Sequence, residues 1–184
     1  GSIAIAAIDM PIGLLDSAAR SADTQARRFL GPRRSSIFPT PVRAALHSTD
    51  YVDACERSRA TSGRALSLQA FHLLPKIRQL DALVTPEDQG RIVEAHPECA
   101  FARLAGAPLP VAKATATGRA LRRRLLEERF GAALDHVLSS RSAPLNDLLD
   151  AAVLALTALH VFNGTEVRLG DDVDATGLRA QIVY

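Results

Sequence analysis

Ile3-Ala4-Ile5-Ala6-Ala7-Ile8, followed at once by Asp9-Met10-Pro11-Ile12-Gly13-Leu14, is the stretch on which the fold turns. A short unbroken apolar run ended by Pro and Gly reads as a strand buried on both faces, as in a parallel sheet, feeding a tight loop. Asp9 then stands at the carboxyl end of that strand, where ligands gather in open α/β sheets. An Asp there can equally cap the turn through its own backbone. Both readings stay open at this point.

Working outward, Asp23 to Leu30 reads as a short helix closed by Gly31-Pro32, and Arg33 to Pro39 as a basic loop. Val42 to Leu46 and Asp50 to Ala60 read as helical, with a break at Thr61-Ser62-Gly63. Ser67 is placed to cap a helix carrying Leu68, Phe71, Leu74, Ile77 and Leu80, and Pro75 is expected to kink or divide it. Arg91 to His96 is the second strand. Ala114 to Phe130 forms a helix with a dense basic face. Ser142 opens the last helix, which runs to Phe162 and is apolar round most of its circumference, so burial on several sides is expected. Gly177 to Tyr184 alternates as an edge strand does.

The chain has 184 residues, which suits one domain whose core needs neither disulfides nor structural metal. Aromatic residues make up 4% with no Trp, so a surface that stacks several bases is hard to assemble. The formal net charge of +2 does not announce a polyanion partner, which leaves local clusters to decide. Cys55 and Cys99 lack CxxC spacing, and a reducing, cytoplasmic setting is expected. Leu148 to Phe162, the longest apolar stretch, carries Asp150 and His160 and falls short of a membrane span. Gly1-Ser2 reads as an expression remnant, and a buried strand that starts at residue 3 leads us to expect a missing upstream piece.

Three acidic places could carry chemistry. Asp9 is the first. Glu94-Ala95-His96-Pro97-Glu98 is the second: alternation puts Glu94 and His96 on one face, and a carboxylate among Ile92, Val93 and Ala95 is costly to bury unless paired or metal-bound. The third is Asp147 with Asp150, three apart and so on one helix face. Asp147 also suits a helix first turn, which favours acidic residues. Carboxylates from two strands and a helix, if convergent, could hold Mg or Mn ions for phosphodiester cleavage, with His96 or a Glu moving protons. Arg27, Arg28, Arg33 and Arg34 form one basic cluster. Lys113, Arg119, Arg122, Arg123, Arg124 and Arg129 form another, which also reads as a solvated face paired with Glu127 and Glu128. No phosphate loop, dinucleotide fingerprint, nucleophile elbow or HExxH spacing is present.

Several motifs recur in a familiar order: Ile8 to Leu14, Arg27 to Pro41, Leu66-Ser67-Leu68-Gln69-Ala70, Pro75-Lys76-Ile77, Glu94 to Glu98, Asp147 to Ala151 and Gly177 to Tyr184. Together they resemble the family known as domain of unknown function 429, described as predicted nucleases of the ribonuclease H fold. The resemblance implies an α/β fold, a mixed β-sheet flanked by helices with an acidic metal site at its centre. It implies that Asp9 matches the fourth-strand carboxylate of that fold and Asp147 or Asp150 the late-helix one. Glu94 and Glu98 belong to the family's His-Pro-Glu motif. Arg33, Arg34, Gln69 and Lys76 match recurrent positions suited to phosphate contacts.

The family pattern begins with a glycine-rich hairpin bearing an early Asp, and this chain lacks it. An incomplete sheet is therefore expected, with a homodimer as one way of completing it. The function expected is metal-dependent hydrolysis of phosphodiester bonds in nucleic acid or a nucleotide. The alternatives are a non-catalytic module binding a polyanion or a protein, and a hydrolase or transferase acting on a small phosphorylated metabolite.

Overall fold

A computed structural model describes residues 4–16, 19–140 and 143–184. The expected first strand is present as β1 (Ala6–Ile8), while Ile3 lies outside the described residues. β1 pairs in parallel with β2 (Ile92–Glu94), Ala6 beside Ile92 and Ile8 beside Glu94. The crossover between them holds α1 (Ser21–Leu30), α2 (Tyr51–Ser62) and α3 (Leu68–Asp81). Beyond β2 come α4 (Pro97–Ala105), α5 (Ala116–Phe130), α6 (Ala132–Ser139) and α7 (Leu145–Phe162). The chain closes with an antiparallel hairpin of β3 (Arg168–Val173) and β4 (Arg179–Val183). A parallel bridge between Ala95 and Val183 joins this hairpin to β2. Parallel and antiparallel pairs thus coexist among helices, the mixed α/β class expected from the sequence.

Local chemistry explains the element ends. Ser67 Oγ accepts from the Ala70 N–H at 3.2 Å, the predicted cap of α3. Asp50 caps α2 in the same way through the Asp53 N–H. His96 caps α4 with its ring, and Pro97 takes the first helical position, where its missing N–H costs nothing.

Of the two outcomes expected at Pro75, division is not seen: α3 continues through it from Leu68 to Asp81. Three expectations need correction. Arg33 and Arg34 sit in a 3₁₀ turn, Gly31–Ser36, rather than an irregular loop. β4 is not a free edge, because β3 flanks it on one side and Ala95 on the other. The last helix begins at Leu145, so α7 has 18 residues with a mean hydropathy of 1.5, long and apolar enough by itself to cross a membrane. Here it serves as a core helix, packing on α4, α5, α6 and β1 through Leu149, Val153 and Leu154. Ser142, read as its opening, lies outside the described residues.

A buried ion network fixes the segment after β1. Arg20, 2% exposed, spreads its guanidinium over both oxygens of Glu94 at 2.7 Å and over Asp23 at 2.6 Å. It also donates to the Ile12 carbonyl at 3.1 Å, while the Ile12 N–H donates to Glu94. Asp23 in turn accepts from the N–H and hydroxyl of Thr40. Farther along, the Leu14 N–H and Arg43 both donate to Asp174 in the β3–β4 turn. Gly13 sits at φ +79°, where a Cβ would come within 3.0 Å of the Ala180 backbone, so only glycine lets this loop lie against β4.

Removing one partner of such a network leaves a buried charge without compensation. Arg20→Leu is expected to lose about 3–5 kcal/mol of unfolding free energy, measured by urea denaturation, whereas Arg34→Ala, on the surface, should shift it by no more than about 0.5 kcal/mol.

Candidate functional site

Asp9 follows β1 directly and keeps a face on solvent. Among the described residues its carboxylate receives no hydrogen bond, so the turn-capping role that its sequence position allowed is not one it plays. Beneath it lies a crevice of about 20 Å³, walled by Asp9, Arg20, Asp23, Thr40, Glu94 and His96. A space of that size suits a single water molecule. Glu94, Ala95 and His96 all line it.

Asp150 is the second candidate, and it is only partly compensated. It lies 8% exposed on α7, where Lys113 Nζ approaches Oδ2 to 2.7 Å. Its other oxygen, Oδ1, is buried with no donor, and so is Asn146 Oδ1 one helical turn earlier. Lys113 arrives on the segment joining α4 to α5, whose backbone is pinned by Gly118. A Cβ at Gly118 would stand 2.0 Å from the Ala112 carbonyl oxygen.

The remaining carboxylates are committed elsewhere. Glu94 is held by Arg20. Glu98 receives Arg122 at 2.5 Å, with both side chains buried and the guanidinium over the Phe101 ring at 5.3 Å. Asp147 stands in solvent at the first turn of α7, so the shared face with Asp150 does not bring the two together. His96 accepts the Glu98 N–H on Nδ1 at 3.2 Å, and its Nε2 lies 3.3 Å from the Ser36 carbonyl, which assigns the Nε2–H tautomer. Burial pushes its pKa down to about 4, so the ring is neutral near pH 7. Among the described residues no three His, Cys, Asp or Glu side chains cluster closely enough to hold a metal ion by themselves.

The charges explain the titration behaviour. Burial, then the field of Asp150, raises Asp9 to about 6; Lys113 opposes this and Glu94 adds to it. Burial also raises Asp150, against the pull of Lys113. Desolvation disfavours the Lys113 ammonium, but its bond to Asp150 and the fields of Asp150, Asp9 and Glu98 outweigh that and raise its pKa. Burial pushes Glu94 upward as well, opposed by the two-point contact with Arg20 and by the Ile12 N–H. Five carboxylates (Asp9, Asp23, Glu94, Glu98 and Asp150) thus face three cations (Arg20, Lys113 and Arg122). Two negative charges are in excess.

The basic residues separate. Arg33 and Arg34 lie on the 3₁₀ turn whose Ser36 carbonyl meets His96, but neither lines the crevice, and Arg33 Nε is buried without an acceptor. Gln69 and Lys76 stand exposed on α3 and do not line the crevice. Of the later basic group, Arg122 is in the core and Arg123 pairs with Glu127 and Asp135 on the surface. Arg20 carries no motif signal and escapes the sequence reading. Lys113, read there as one of the second basic cluster, is instead the partner of Asp150, and it is one of only two lysines beside twenty arginines.

The architecture defines an α/β protein with an acidic, cation-poor site at the carboxyl ends of two parallel strands. The family described as "Protein of unknown function (DUF429)" matches residues 1–175, and the chain belongs to that family. No curated protein and no solved structure matches the chain.

A carboxyl raised in the folded state favours folding when protonated, and that contribution is lost as pH rises through the folded value. Asp9→Asn should therefore raise Tm relative to the parent chain at pH 7.5 and leave it nearly unchanged at pH 4. NMR titration should place the Asp9 midpoint near pH 6, and Asp150→Asn should move it down toward the ordinary range.

Proposed function

We propose that the protein hydrolyses phosphodiester bonds with the help of a divalent cation held by Asp9 and Asp150. The observation that carries this reading is Asp150 Oδ1, which is buried without a donor, within the electrostatic reach of Asp9, a solvent-exposed carboxylate that no side chain or backbone N–H holds. Unsatisfied buried acceptors are uncommon and call for a reason. Mg²⁺ and Mn²⁺ prefer oxygen ligands, and Mg²⁺ is commonly bound by one or two carboxylates while it keeps several waters. The excess of two negative charges matches one such ion. Glu94 and Glu98 do not fit as ligands, because Arg20 and Arg122 already hold them.

A bound divalent ion would supply an activated water and stabilise the leaving oxygen. The chain's own residues do the rest. Arg20 holds the loop that orients Asp9. Neutral His96 braces Glu98 and the 3₁₀ turn. Arg33 and Arg34, on the turn whose Ser36 carbonyl meets His96, are suited to phosphate oxygens. A crevice of about 20 Å³ is too small to enclose a metabolite, which favours a substrate that lies across the surface, such as a nucleic-acid strand.

A second reading, a polyanion-binding module without turnover, draws on the absence of a three-ligand cluster among the described residues. Calorimetric titration of Mn²⁺ separates the two. The metal reading expects saturable binding to the parent chain, lost in both Asp9→Asn and Asp150→Asn with the fold intact, together with Mn²⁺-dependent cleavage of an activated phosphodiester. Salt-sensitive nucleic-acid binding with no metal uptake would establish the binding module instead.

A further inference from the structure

We propose that Lys113 is a built-in counter-ion of the Asp9–Asp150 pair, displaced from Asp150 when a divalent cation binds. This inference rests on the metal reading of the same site and adds how the site is kept before metal arrives.

Lys113 neutralises only part of what it faces. It contacts Oδ2 of Asp150 alone and leaves Oδ1 without a donor, while Asp9, open to solvent, feels only its field. Its position is suited to release. The side chain is 45% exposed, against 1–2% for the guanidiniums of Arg20 and Arg122. It projects from a connecting segment, whereas Asp150 is fixed on a core helix and Asp9 at a strand end. The Ala112 carbonyl seated on Gly118 holds the adjacent backbone, so only the side chain need move. Swinging a half-exposed ammonium into water costs little compared with moving a buried one.

Residue choice supports the same division. The cluster's permanent ion pairs use arginine, whose rigid fork can grip both oxygens of a carboxylate, as Arg20 does with Glu94. The position facing the free pair carries one of the chain's two lysines. An ammonium is a compact, strongly hydrated point charge on a flexible stem, which makes it easier for a cation to replace.

Binding linkage makes the effect reciprocal: if Lys113 opposes the metal, the metal must release Lys113. The unmodified protein tests this, because Lys76, exposed on α3, serves as an internal reference. Mn²⁺ is titrated into the protein under limiting amine-acylating reagent, and labelling of the two lysines is read by peptide mass spectrometry. Lys113 labelling should rise several-fold relative to Lys76, with a midpoint at the calorimetric Kd. Lys113→Met should bind Mn²⁺ at least about fivefold more tightly than the parent, the lower end of ordinary coupling between two ligands. Lys113→Arg should bind no more tightly than the parent.

If Mn²⁺ binds in an Asp9- and Asp150-dependent way, yet Lys113 labelling stays flat and Lys113→Met gains nothing, the counter-ion idea is overturned while the metal site stands. Binding seen only in Lys113→Met would show that Lys113 is not displaced by the cation, and would overturn the inference. If neither the parent nor Lys113→Met takes up Mn²⁺, both readings fall.

Discussion

A guanidinium with almost no access to water holds this structure in register. Arg20 can be buried only because Glu94, Asp23 and the Ile12 carbonyl surround it, and Glu94 can be buried only because Arg20 is there. That mutual dependence ties the start of α1 to the end of β2 and to the loop after β1. Through Asp23 it reaches Thr40 as well. Asp9 stands at the beginning of the loop so constrained, and its place at the mouth of the crevice follows from it.

Against that background the carboxylates divide into two kinds. Glu94, Glu98 and Asp174 are each answered by an arginine, and each helps join segments distant in sequence. Asp9 and Asp150 are answered by a single half-exposed lysine. Of these two, Asp150 is buried and keeps one oxygen without a donor, while Asp9 is open to solvent. The cation that meets Asp150 is half-exposed and makes a single contact, unlike the buried, forked arginines that hold the other acids.

Much of the framework was legible from local pattern. The apolar run ending at Asp9, the strand before His96, the Ser67 cap and the long apolar helix all depend on neighbours within a few residues, and all are present. α4 is announced only by His96-Pro97, a strand ending and a helix start in one dipeptide. β3 escapes pattern reading because Gly170, Asp171 and Asp172 interrupt alternation, with an irregular register between Leu169 and Asp172. It is a strand because β4 and α1 pack against it.

By itself the sequence determined which acids were available and that Asp9 would close a strand, because strand period and turn chemistry act over a few residues. Only the tertiary structure decided which of those acids stay free. Arg20 is 74 residues from Glu94, Arg122 is 24 from Glu98, and Lys113 is 37 from Asp150. Whether a carboxylate is paired depends on which cation the fold brings to it, and charge compensation across such distances leaves no periodic trace along the chain.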